Sequence, residues 1–146
     1  MEYKLNCVLA IDDDEPTNFF VQMILEEVGC ARHIKIVQSG PEALEYLAKS
    51  EQEGNGDEYP SPDLIFLDIN MPAMDGWEFL NEYKKLDIAN RVIVVMLTTS
   101  LFPEDKSKAA AIPEISGFEH KPLTTEKVHA ILGTYFESVG VEPGLK

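Results

Sequence analysis

Two short apolar runs in this chain each end in bare carboxylates. Val8-Leu9-Ala10-Ile11 leads straight into Asp12-Asp13-Asp14, and Leu64-Ile65-Phe66-Leu67 leads into Asp68. A brief, unbroken apolar run reads as a strand buried on both faces. Carboxylates gathered at two such strand ends repel each other, by roughly 4 kcal/mol at about 4 Å and an effective dielectric of about 20. A cation or a proton must relieve that repulsion. The pattern therefore predicts a divalent metal site beside an aspartate able to act as a nucleophile.

The rest of the chain alternates in the same way. Pro16 opens a helix in which Phe19, Phe20, Met23, Ile24 and Val28 fall at helical spacing, and Gly29 closes it. Ile34–Val37 reads as a second strand. Ser39-Gly40-Pro41-Glu42 has capping-box spacing, and the helix after it turns Ala43, Leu44 and Leu47 to one side. Residues 50–62 form a polar loop with four acids and no base, too long for an ordinary connection; it reads as a mobile insertion or a partner contact. After the third strand, Asp75-x-x-Glu78 starts a helix with Phe79, Leu80, Tyr83 and Leu86 inside. Arg91–Leu97 is a Val-rich fourth strand. Pro103 to Ala111 is a weak helix stopped by Pro113, and Gly117–His120 is a short fifth strand. Thr124 caps a last helix whose repeat carries Val128, Ile131, Leu132, Tyr135, Phe136 and Val139.

Five strands alternating with five helices predict an α/β fold with a parallel sheet covered on both faces. The 146 residues read as one domain, with a core of about residues 5–139 and a frayed tail over 140–146. In such sheets the ligand site lies beyond the carboxyl ends of the strands. Asp12, Asp13, Asp68, Thr98 and Lys121 all fall at or just past those ends, so the fold gathers them at one edge.

Composition narrows the function classes. A formal charge of −14 argues against nucleic acid and against an anionic membrane surface as partners. No apolar stretch approaches a membrane span; Val92 to Leu97 is among the longest. The first residues lack the pattern of a signal peptide, so the expected location is the cytoplasm. Cys7 and Cys30 make no metal spacing and read as buried free thiols. His33, His120 and His129 make none either.

Asp12-Asp13, the segment Asp68-Ile-Asn-Met-Pro-Ala-Met-Asp-Gly76, Thr98 and Lys121-Pro122 stand in this order on the expected elements. Thr98 follows Asp68 by 30 positions and Lys121 follows it by 53. On these residues the chain resembles a response-regulator receiver domain of two-component signalling, over essentially its whole length. The resemblance implies a flavodoxin-like, doubly wound (βα)5 fold with strand order 2-1-3-4-5. It implies that Asp68 is the phospho-acceptor, attacking a phosphohistidine on a sensor histidine kinase or a histidine phosphotransfer protein. Asp13 and Asp68 would hold Mg²⁺ directly, Asn70 through its backbone carbonyl, and Asp12 through a metal-bound water. Mg²⁺ suits such a site because it keeps several waters and binds through one or two carboxylates plus phosphate oxygens. Lys121 would pair with a phosphoryl oxygen as a compact charge, and Thr98 would donate its hydroxyl. Phe118 matches the aromatic switch position, turning inward when Thr98 moves. The Lys121-Pro122 bond is implied to be cis.

The resemblance also implies a signalling switch rather than an enzyme. The output would be altered affinity for a downstream protein through the face of the fourth helix, fifth strand and fifth helix, or onward relay of the phosphoryl group. A phosphorylation-dependent homodimer through that face is a further implied form. The chain reads as a stand-alone receiver, and Met96 to Ser100 with the 50–62 loop resemble receivers paired with phytochrome-like kinases. Thr99 is bulkier than the Ala or Gly common there, which would narrow water access to a phosphorylated Asp68.

Other readings fit less well. Asp12-x-Asp14 resembles the nucleophile motif of haloacid-dehalogenase-type phosphatases, but Pro16 stands where Thr is expected and the chain lacks room for a cap. A phosphorylation-independent scaffold would not need the complete acidic set, Thr98 and Lys121. A calcium loop starting at Asp68 fails because Pro72 takes its fifth position and no glycine its sixth. Asp14 and Asp75 are expected to cap helices, and Trp77 to pack.

Overall fold

The computed structural model describes residues 5–52, 58–86 and 92–136. In chain order the elements are β1 (Leu5–Ile11), α1 (Glu15–Val28), β2 (Ala31–Val37), α2 (Gly40–Ser50) and β3 (Leu64–Leu67). Then come α3 (Gly76–Lys85), β4 (Ile93–Thr98), α4 (Pro103–Ala111), β5 (Gly117–His120) and α5 (Thr125–Tyr135). Every strand pairing is parallel, and the order across the sheet is β2-β1-β3-β4-β5, as expected. Arg91, residues 53–57, Val139 and the tail lie outside the described residues.

The central strands β3 and β4 are buried at every position because helices cover both sheet faces. Alternate side chains serve opposite faces. Val8, Ala10, Phe66, Val95 and Leu97 share a core with Val21 and Leu25 of α1 and Val128 and Ile131 of α5. Leu9, Ile11, Ile65, Leu67, Val94 and Met96 share the other with Leu47 of α2, and Phe79 and Leu80 of α3. Cys7 and Cys30 are buried and free, and burial pushes the Cys7 thiol up to about 11.

Helix ends follow the polar signals. Asp14 caps α1, accepting the Thr17 N–H at 3.0 Å and the Thr17 hydroxyl. Gly29 ends α1 in the left-handed region at φ 68°, its N–H on Leu25 O at 3.0 Å. Ser39 caps α2 through the Glu42 N–H at 3.2 Å, while Glu42 reaches back to the Gln38 N–H at 2.7 Å. Ser50 belongs to α2 rather than to the loop, its hydroxyl donating to Leu47 O at 2.8 Å. Beyond the acidic loop the chain is pinned again, with the Tyr46 hydroxyl donating to Pro60 O at 2.7 Å.

Two further expectations need correction. β2 begins at Ala31, not Ile34, because its pairing with β1 starts at Leu5 opposite Ala31. As an edge strand it tolerates Arg32 and His33, which hid its first half. The inner face of α1 is formed by Val21, Ile24 and Leu25, while Phe19, Phe20 and Met23 are 73%, 36% and 43% exposed. Ile24 is buried and Val28 packs on the same core as expected, whereas the three large residues before them were chosen by size and lie off the face that meets the sheet.

Candidate functional site

Strand register builds the site. Ile11 lies opposite Leu67 in the β1–β3 pairing, and the next residue on each strand is an aspartate, Asp12 and Asp68. The Asp68 N–H still donates to Ile11 O at 3.0 Å, and the Asp12 N–H to Val37 O at 3.2 Å. Thr98 ends β4 opposite His120, and the Lys121 N–H donates to Thr98 O at 2.8 Å. The Lys121-Pro122 bond is cis. Backbone pairing alone therefore sets Asp12, Asp68, Thr98 and Lys121 at one edge of the sheet.

The carboxylates converge there. Asp12, Asp13 and Asp68 each offer an oxygen, and the three lie within 4.8 Å of one another. Asp12 and Asp68 are buried, whereas Asp13 is exposed. Lys121 Nζ stands 2.6 Å from Asp12 Oδ2 and 3.4 Å from Asp68 Oδ1. Burial, reinforced by the Asp12 charge, pushes the Asp68 carboxyl up to about 6 even with Lys121 beside it. Burial also works against the charge on Lys121, but its bond to Asp12 and the charge on Asp68 outweigh it and raise the ammonium above its usual range. Three hard oxygen donors, one of them facing solvent, fit a small divalent cation that keeps several waters. Asn70, the expected main-chain donor, is exposed two residues beyond Asp68. Asp14 takes no part, because its carboxylate is committed to Thr17.

The loop from β3 to α3 is held close against Asp68. The Gly76 N–H donates to Ile69 O at 2.7 Å, and a β-carbon at position 76 would stand 2.6 Å from Asp68 O. Asp75 caps α3 in a capping box, accepting the Glu78 N–H at 2.9 Å while Glu78 accepts the Asp75 N–H at 3.0 Å. Sequence reasoning found the cap but not the reason for the glycine, which is this close approach. Gly76→Ala is expected to displace the Asp68 main chain and destabilise the fold by about 1–3 kcal/mol. Urea unfolding measures this; an unchanged midpoint would show that the loop has room to spare.

The family model described as "Response regulator receiver domain" matches residues 8–133. The chain belongs to this family. Response regulator Rcp1 of Synechocystis is 34% identical over 98 residues, covering 67% of this chain and 65% of Rcp1. The Mn²⁺-bound form of Rcp1 superposes with a TM-score of 0.68 at 28% identity, over 91% of this chain and 96% of that one. A two-component response regulator from Cytophaga hutchinsonii gives 0.79 at 32% identity, over 89% of this chain and 96% of that one. The bacteriophytochrome response regulator AtBRR gives 0.71 at 26% identity, over 88% and 91%. The chain is thus a receiver of the phosphorylation-activated type, with the CheY-like fold.

Within the receiver, Thr98 is fully buried, and its Oγ1 accepts the Ser100 N–H at 3.0 Å. The Ser100 hydroxyl bonds Asp105 in the first turn of α4 and accepts the Phe102 N–H at 3.3 Å. This link between the end of β4 and α4 was missed from sequence, where a lone Ser after two Thr carries no signal. Phe118 is half-buried on β5 opposite Met96, its ring edge-on to His120 at 5.7 Å. A cleft of about 230 Å³ between α4 and β5 adjoins it, lined also by Lys106, Ala109 and Ile115. Trp77, in the first turn of α3, packs on the core with Lys108 Nζ of α4 4.5 Å from its ring centre. Among the described residues no helix is long and apolar enough to cross a membrane.

Proposed function

We propose that this receiver takes a phosphoryl group onto Asp68, from a sensor histidine kinase or a histidine phosphotransfer protein, in the presence of Mg²⁺. The observation that carries the reading is the convergence of Asp12, Asp13 and Asp68 on one point with Lys121 already between two of them. A carboxylate oxygen of Asp68 attacks the phosphorus, the phosphorus–nitrogen bond breaks, and the imidazole leaves with its electron pair. Asp13 and Asp68 would hold the ion directly, Asn70 through its main-chain carbonyl and Asp12 through a bound water. When bound, Mg²⁺ neutralises charge on the crowded oxygens. Lys121 moves from Asp68 to a phosphoryl oxygen. Phosphoryl transfer asks for positioning and charge neutralisation more than covalent chemistry from the protein, and this set with its ion would provide both.

Thr98 then donates its hydroxyl to the phosphoryl group, and Phe118 turns inward toward the space this frees. The face of α4, β5 and α5 changes, altering affinity for a downstream protein, forming a homodimer, or preparing onward relay. A cytoplasmic setting goes with such donors. The likeness to AtBRR favours a phytochrome-type kinase among them. The phosphatase reading loses its second aspartate, since Asp14 caps α1.

Incubation with acetyl phosphate and Mg²⁺ tests the acceptor. Intact-mass measurement is expected to show one added phosphoryl group on the wild type and none on Asp68→Asn. An adduct that survives the substitution, or a wild type that never gains one, would overturn the assignment.

A further inference from the structure

Asn18 is polar at a point where α1 otherwise turns aliphatic side chains to the sheet. It lies one turn before Val21 and two before Leu25, and is only 6% exposed. Its Nδ2 donates to the Asp12 main-chain oxygen at 2.8 Å. Its Oδ1 is enclosed and accepts from no donor among the described residues. Flipping the amide does not help, because it would set oxygen against the Asp12 carbonyl, acceptor against acceptor. A buried carbonyl without a donor is uncommon in folded proteins and calls for a partner.

The same side chain lines a chamber of about 10 Å³, which Asp12 and Asp68 also line and which Val21, Phe66 and Leu97 close on the apolar side. That volume is about one probe sphere, the room a single water needs. Apart from Asn18 Nδ2, which is committed to the Asp12 main chain, the side-chain polar atoms around it are acceptors. Asp12 is already supplied, its Oδ1 by the Asp14 N–H at 2.9 Å and its Oδ2 by Lys121 at 2.6 Å. Asp68 accepts from Lys121 and from the Ile69 main chain, and a carboxylate has further lone pairs to offer; what suits the chamber is one heavy atom in size, with one donor for Asn18 Oδ1 and a second for Asp68. A metal ion does not, since three aliphatic or aromatic walls leave it without a coordination shell.

We propose that Asn18 holds one buried water in this chamber, donating to Asn18 Oδ1 and to the Asp68 carboxylate, and is thereby a positioning residue for the phospho-acceptor. The positioning half rests on the reading of Asp68 given above; the water does not. Held from the interior, the Asp68 carboxylate keeps its remaining lone pairs aimed outward at the ion and the incoming phosphorus. Partners that orient a ligand from behind in this way commonly alter metal affinity or activity by about 10–100-fold when removed.

A high-resolution crystal structure of the wild type is expected to show one water within hydrogen-bond distance of both Asn18 Oδ1 and Asp68; a dry chamber overturns the proposal. Two variants test the positioning at saturating Mg²⁺. Asn18→Leu keeps the branched shape and heavy-atom count but removes the acceptor, and is expected to slow phosphorylation by acetyl phosphate about tenfold. Asn18→Ala admits a second water in place of the amide, and is expected to slow it by less than about threefold, below the usual loss for such partners. A residue that merely packs gives the reverse order, since alanine leaves a cavity and leucine fills it. Leucine as fast as wild type, or alanine at least as slow as leucine, overturns positioning. If the leucine variant does not fold, the crystal structure still decides the water, and a tenfold loss in the alanine variant still overturns rescue by solvent. A wild type that takes no phosphoryl group sinks the acceptor assignment instead and leaves the water to the crystal.

Discussion

Lys121→Met is expected to destabilise the metal-free protein by about 3–5 kcal/mol at pH 8, the usual penalty for stripping one partner from a buried ion pair. Lys121 Nζ is the shared cation of Asp12 and Asp68, at 2.6 Å and 3.4 Å, and both acids are buried. Methionine keeps most of the apolar stem, so the loss reports charge rather than packing. Removing the ammonium leaves two carboxylates beside each other in a poorly solvated site. Their repulsion is relieved by a proton or by an ion. The penalty is therefore expected to shrink at pH 5, where Asp68 takes up a proton, and to shrink again when millimolar Mg²⁺ is added at pH 8. Urea unfolding with and without chelator measures all three conditions. Equal stability of wild type and variant at pH 8 without metal would mean that solvent, not Lys121, neutralises the cluster.

Much of this arrangement was legible before any coordinates. Val8–Ile11 and Leu64–Leu67 announce buried strands because they are apolar at every position, and parallel strands enclosed by helices need that. With those strands as parallel neighbours, the observed register sets Ile11 opposite Leu67, and Asp12 meets Asp68. Caps at Asp14, Ser39, Asp75 and Thr124 were readable because each places a short oxygen side chain three residues ahead of a free N–H. What escaped were features that exist only between elements. The phase of α1 depends on which side the sheet approaches, so Phe19 and Phe20 could not be told from core by size. Gly76 looks like any glycine until the Asp68 carbonyl is seen against it. Asn18 had a local signal, a polar residue in step with Val21 and Leu25, but its meaning depends on the chamber behind Asp68.

The contribution of Asp68 to the stability of the metal-free wild type is expected to fall, not rise, as pH climbs from about 4 to about 6. The Asp68 carboxyl is held up at about 6 in the fold, against 3.8 ordinarily, so in this window the folded chain keeps a proton that the unfolded chain has released. Stability is then greatest below the unfolded value and is lost as pH passes through the folded one; the size of the displacement corresponds to about 3 kcal/mol. Asp14 acts in the opposite sense, since its bonds from Thr17 lower its carboxyl and favour the fold at higher pH. Asp68→Asn keeps Asp14 and removes Asp68, so subtracting the two pH profiles isolates the Asp68 carboxyl. Mg²⁺ is expected to bind the ionised cluster in competition with that proton, so its effect should grow across the same window. At about 100 times its dissociation constant it adds about 2.7 kcal/mol, restoring much of what ionising Asp68 removes. Thermal unfolding of both proteins at several pH values, with and without Mg²⁺, reads each part. Parallel profiles for wild type and Asp68→Asn would show that burial does not hold a proton on Asp68, and the crowding of acids that defines this site would then have no energetic consequence.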